Sequence, residues 1–180
     1  WSSCISHTAI EQRRGKVAPR SVLVPVWERS LVRKSRFSST PEQFGTPAWS
    51  PDTMEMFVGT SRGDLWALDL AGRAKWRTRL DGPVESRPLV VRDRVIAGTI
   101  SGAVYAVERT GGKILWKFQG YGAIMGDPAE REGLVYVLTS LNKLYVLTLE
   151  DGRLHWSREH ENARGHTVRG QSSPVLAGDR

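Results

Sequence analysis

Four histidines, one cysteine and a scatter of carboxylates are the side chains here that could do chemistry, and their spacing excludes most of it. A zinc site needs three or four ligands converging on one point. His155, His160 and His166 follow one another at spacings of five and six and His7 stands alone, so no two share a strand face with a third ligand nearby. No His-Glu-x-x-His, Walker loop, dinucleotide fingerprint or Gly-x-Ser-x-Gly elbow occurs. The single cysteine, Cys4, excludes an intramolecular disulfide and a Cys-rich metal centre. Asp64, Asp69, Asp81, Asp93, Glu108 and Asp151 fall mostly in turns or at strand ends, where surface turn use is expected. One segment remains, His166-Thr167-Val168-Arg169-Gly170-Gln171-Ser172-Ser173-Pro174. Arg169 beside Gly170 either offers a bidentate guanidinium to a partner's carboxylate or carbonyl, or is an exposed loop arginine with no fixed partner. Val168 either adds an apolar contact or packs as a first-strand core residue.

These residues need elements to hold them, and charge and hydropathy limit what the elements can be. The 180 residues carry a formal charge of +7, with a pI near 10.0. Most of the excess lies at the amino end, where Arg13, Arg14, Lys16, Arg20, Arg29, Arg33, Lys34 and Arg36 face only Glu11 and Glu28. No Arg/Lys run interleaves with aromatics as a nucleic-acid surface would, so a solvated basic tail is expected there and no nucleic-acid partner. No stretch approaches 18 consecutive apolar residues, the length of a membrane-spanning helix. The chain starts at Trp1, and an upstream segment such as a secretion signal is expected to have preceded it.

Self-similarity supplies the architecture. Trp76, Trp116 and Trp156 stand 40 residues apart, and a glycine precedes each by four: Gly72, Gly112 and Gly152. Upstream recur Trp66-Ala67-Leu68, Tyr105-Ala106-Val107 and Tyr145-Val146-Leu147, and each unit opens near a proline, at Pro47, Pro88, Pro128 and Pro174. Short runs rich in Val, Leu, Tyr and Trp, punctuated by turn residues, predict four strands per unit. In the second unit these cover residues 87–91, 95–99, 103–107 and 114–118. Arg62-Gly63, Ser101-Gly102 and Leu141-Asn142 each supply a residue tolerant of positive φ for a tight hairpin. With no helix pattern after residue 45, the fold expected is all-β: a β-propeller of four-stranded antiparallel blades, here about three blades and the start of a fourth. Residues 1–20 are expected to form a flexible basic leader and residues 21–180 a partial propeller domain. The blades fall at about 47–78, 86–118 and 126–158, with a fourth beginning near residue 170. Val22 to Trp27 ends in a tryptophan with no blade before it, so residues 22–29 are expected to be an orphan strand that closes a ring. The linker from Trp156 to Pro174 is 18 residues against 12 in the earlier copies, and out-of-period insertions are where repeat proteins place contacts.

The pattern Leu65-Trp66-Ala67-Leu68-Asp69…Gly72…Trp76, with its copies ending at Gly112…Trp116 and Gly152…Trp156, resembles the blade motif of quinoprotein-like (PQQ-like) propellers. The resemblance covers residues 22–180 and implies that Trp76, Trp116 and Trp156 dock against neighbouring blades, while the glycines make the preceding turns. Residues 166–174 further resemble the loop after the third blade in the BamB-like lipoproteins of the outer-membrane barrel-assembly machinery. There an apolar-x-apolar-Arg-Gly-Glu-Ser-x-Pro stretch contacts BamA, the barrel subunit. Carried over by position, His166 takes the first apolar place, Val168 the second, Arg169 and Gly170 the Arg-Gly pair, and Gln171 replaces the acidic residue. The resemblance implies a non-enzymatic scaffold without a cofactor, binding a BamA-like barrel protein at the periplasmic face of the bacterial outer membrane. It also implies lipidation at Cys4, which follows two small residues but has Trp1 where leucine is usual. The alternatives are a quinoprotein dehydrogenase using pyrroloquinoline quinone and Ca²⁺, and a ligand- or polysaccharide-binding propeller.

Overall fold

The computed structural model describes residues 26–32, 45–159 and 172–177. Twelve strands form three four-stranded antiparallel sheets, and no helix occurs among the described residues. The first sheet runs β1 (Ala48–Ser50), β2 (Glu55–Gly59), β3 (Asp64–Asp69), β4 (Ala74–Arg79). The second is β5 (Leu89–Val91), β6 (Arg94–Gly98), β7 (Ala103–Glu108), β8 (Ile114–Gln119). The third is β9 (Ala129–Arg131), β10 (Leu134–Leu138), β11 (Lys143–Thr148), β12 (Leu154–Glu159). Each sheet keeps chain order, as a meander must. The innermost strands β1, β5 and β9 neighbour one another, so the sheets stand side by side as blades around one axis, in an arc of a β-propeller.

Local sequence explains each sheet. The β2–β3, β6–β7 and β10–β11 hairpins turn through Gly63 (φ 84°), Gly102 (φ 86°) and Asn142 (φ 57°), as the turn chemistry predicts. The buried hydroxyls of Thr60 and Thr99 accept the N–H of Asp64 and Ala103, so these tight turns leave no orphan donor there. A bulge recurs at one place in each repeat, after Ala67, Ala106 and Val146, and adds twist toward the outer strand.

The core lies between blades. In the second sheet, Val95, Ala97, Tyr105 and Val107 pack toward the first sheet, and Ile96, Val104, Ala106 and Trp116 toward the third. Side chains alternate faces along a strand, so a sheet covered on both sides must be apolar at every position. This is why β6 and β7 read as the unbroken runs Val95-Ile96-Ala97 and Val104-Tyr105-Ala106-Val107. Outer strands are wetter: β12 is exposed along its whole length, and β4 is exposed or half-buried throughout, carrying Lys75, Arg77 and Arg79. Charge on an outer strand discourages pairing with another chain.

Candidate functional site

Every seam between consecutive blades is held by a tryptophan of one repeat and the β3–β4-type turn of the next. The Trp76 indole Nε1 donates to the Arg109 carbonyl at 2.7 Å, and Trp116 Nε1 to the Leu149 carbonyl at 2.9 Å. Trp27 does the same, donating to the Leu70 carbonyl at 2.6 Å, although residues 26–32 form no strand of their own. The receiving turns need glycine on two counts. Gly72, Gly112 and Gly152 have φ of 72°, 74° and 69°, and a Cβ there would stand 2.7, 2.7 and 2.4 Å from the rings of Trp27, Trp76 and Trp116. Each indole therefore lies on the glycine of the repeat after its own, whereas the spacing of four related it to the glycine within its own repeat. Trp116 is 8% exposed, whereas Trp156, with no such turn over it among the described residues, is 41% exposed.

Charged clamps reinforce the seams. Arg94 donates to the carbonyls of Leu149 and Glu150 and to the Glu150 carboxylate at 2.6 Å, and Arg109 reaches Asp52 at 2.9 Å. Between the first two blades, Asp81 accepts from Ser101 Oγ at 3.0 Å and from Lys117 Nζ at 2.6 Å. Burial on its own would raise the Asp81 pKa, but hydrogen bonds from Lys117, Tyr105 and Ser101 outweigh it and hold the carboxyl below the usual range. Tyr105 is pushed up, by burial first and by Asp81 second.

The long linker after the third blade is anchored at both ends. It leaves from β12 at Glu159 and returns at Ser172, where the Asp127 N–H donates to Ser173 Oγ at 2.8 Å. The Arg87 N–H meets Asp127 Oδ1 in the same way one repeat earlier, so the segment from Ser172 enters in register as a fourth repeat would. His166, Val168, Arg169 and Gly170 lie outside the described residues, as does Cys4.

The carboxylates divide. Asp69, Asp93 and Asp151 serve turns: Asp69 caps the N–H groups of Ala71 and Arg73, and Asp151 pairs with Arg153. Asp64 departs from the surface-turn expectation. It is 3% exposed and binds Arg77 at 3.0 Å and Arg79 at 3.3 Å through one oxygen, Oδ1. The signal available in the sequence was the alternation Arg77-x-Arg79, two cations on one face of β4 opposite the start of β3. Among the described residues no group of three or more His, Cys, Asp or Glu side chains could hold a metal.

Comparison with known proteins identifies this architecture. The sequence profile of the family described as "Outer membrane protein assembly factor BamB" matches residues 8–99 and 90–180. The chain belongs to the BamB family. Relatives named outer membrane protein assembly factor BamB include that of Nitrosomonas eutropha, 28% identical over 134 residues, 74% of this chain and 31% of the relative. That of Yersinia pestis is 24% identical over 149 residues, covering 79% and 38%. The chain thus spans about a third of the length of the curated relatives it matches. Among solved structures, BamB from Moraxella catarrhalis superposes with a TM-score of 0.58 at 24% identity, covering 64% of this chain and 36% of that one. A europium-containing methanol dehydrogenase gives 0.54 at 18% identity, covering 61% and 23%. At such identities these likenesses show the fold alone, and BamB and a quinoprotein share it.

Proposed function

We propose that this BamB-family chain is a non-enzymatic scaffold that binds a BamA-like barrel subunit and assists outer-membrane protein assembly. The observation that carries the reading is the family match along residues 8–180, joined to the longer linker anchored at Glu159 and Ser173. The blades hold both ends of the linker that carries His166, Val168, Arg169 and Gly170, at Glu159 and at Ser173. Arg169 offers a forked donor to a carboxylate or carbonyl, and Val168 an apolar contact beside it. A lipidated Cys4, followed by the basic leader, tethers the chain to the periplasmic face of the outer membrane. Replacing Arg169 with Glu should reduce co-purification with a BamA-like subunit several-fold or more while leaving thermal stability unchanged. Equal recovery of the subunit by both proteins would remove the linker from the interaction.

A further inference from the structure

The first seam differs from the two that follow it. In the second, the residue five beyond the latch tryptophan Trp76 is Asp81, whose carboxyl lies beside the Tyr105 hydroxyl. In the third, the matching residue after Trp116 is Tyr121, whose N–H meets the Tyr145 hydroxyl at 3.0 Å. In the first, the matching residue after Trp27 is Val32, which is buried and has no side-chain acceptor, and the aromatic is Trp66. The Trp66 Nε1–H is buried without a hydrogen-bond partner. A buried N–H left unpaired is destabilising and marks the first seam as unlike the other two.

Beside the Trp66 ring lies a charged cleft. Residues 26–32 and the outer strands of the first sheet enclose a cleft of about 520 Å³, lined by Arg29, Arg62, Asp64, Trp66, Arg77 and Arg79. That volume is within the range of sites that enclose a ligand. The guanidinium carbons of Arg29 and Arg77 lie 5.8 and 5.3 Å from the Trp66 ring centroid. Arg29 also donates to the Gly72 carbonyl at 2.6 Å, and the guanidinium N–H groups that such contacts leave over are forked donors of the kind that reads a carboxylate. The cleft already holds one carboxylate in this manner, that of Asp64 between Arg77 and Arg79. Arg77 and Arg79 share a single oxygen of it, so the positive charge on this wall exceeds what Asp64 balances. The arginine pair recurs in no other blade: Lys117 and Ser157 stand at the Arg77 place, and Gln119 and Glu159 at the Arg79 place.

We propose that this cleft is a second binding site, one that takes a carboxylate-bearing extended segment of a protein partner. A carboxylate suits it better than a phosphate because the incoming charge must sit near Asp64, and a monoanion meets less repulsion there than a dianion. An extended chain suits it better than a bilayer because the walls exclude a flat surface. The site lies on the first blade, apart from the linker after the third, so its failure and that of the scaffold reading are separable.

The test is fluorescence anisotropy with a labelled Asp/Glu-rich decapeptide titrated by the protein, alongside Arg77→Gln and Arg79→Gln. Arg77 and Arg79 are both largely exposed, so both variants should fold, as checked by circular dichroism and thermal melting. The expected result is saturable binding of the acidic peptide, none of a Lys-rich control, and about tenfold weaker binding by each variant. Three outcomes overturn the proposal: no saturable binding, an affinity that neither variant changes, or displacement of the peptide by inorganic phosphate or phosphatidylglycerol vesicles at lower concentration than by unlabelled peptide. The last would assign the cleft to a phosphate group.

Discussion

Asp81 gathers donors from Ser101, Tyr105 and Lys117, which favours its ionised form in the folded chain despite partial burial. A carboxyl whose pKa is lower folded than unfolded stabilises the fold above its unfolded value, about 3.9, and loses that contribution as pH falls through the folded value. Asp81→Asn should therefore melt below the parent at pH 7, and the gap should close as pH drops from about 5 to below 3. Thermal melts across that range check it, and a gap independent of pH would show that shape rather than charge sets the cost. Asp69 and Asp151 are lowered too: Asp69 chiefly by the Arg73 backbone N–H, Asp151 chiefly by the Thr148 hydroxyl. Both sit in exposed turns, so solvent screening leaves them little weight in stability.

At the scale of strands and turns, a latch tryptophan is worth what its receiving turn buries. Trp116 is nearly enclosed and its N–H is satisfied inside, so Trp116→Ala should cost about 3–5 kcal/mol. Trp156 occupies the same place in its repeat but is 41% exposed, and Trp156→Ala should cost a small fraction of that. Urea unfolding of the two variants of this chain decides it; equal losses would contradict the latch. Much of this was legible in the sequence, because a tryptophan four residues after a glycine, three times at one period, reports a local turn and strand. Which glycine each indole meets was not, since Trp76 and Gly112, like Trp116 and Gly152, stand 36 residues apart and their contact depends on how blades pack. Asp64 was misread for a related reason: Arg77 and Arg79 reach it across the strand register, while its own neighbours look like a turn. The contact positions Val168 and Arg169 rested on a local resemblance, and no period or register constrains them.

For the whole molecule, the +7 charge and Cys4 bear on where it resides. Under the tether proposed for Cys4, one acyl attachment gives reversible membrane binding that nearby basic residues strengthen, so Cys4→Ser should move the protein from the membrane to the soluble fraction. What stays bound should release with salt, as screened surface attraction does. An unchanged membrane share would exclude the tether. The direction of the latches has a further result. Each repeat offers an indole forward and a glycine turn backward, so the latch itself asks for no new complementarity when one repeat follows another, although the charged clamps differ from seam to seam. Tandem duplication or loss of one 40-residue unit would leave the remaining joints intact, which gives such chains a path to wider or narrower rings in whole-wedge steps.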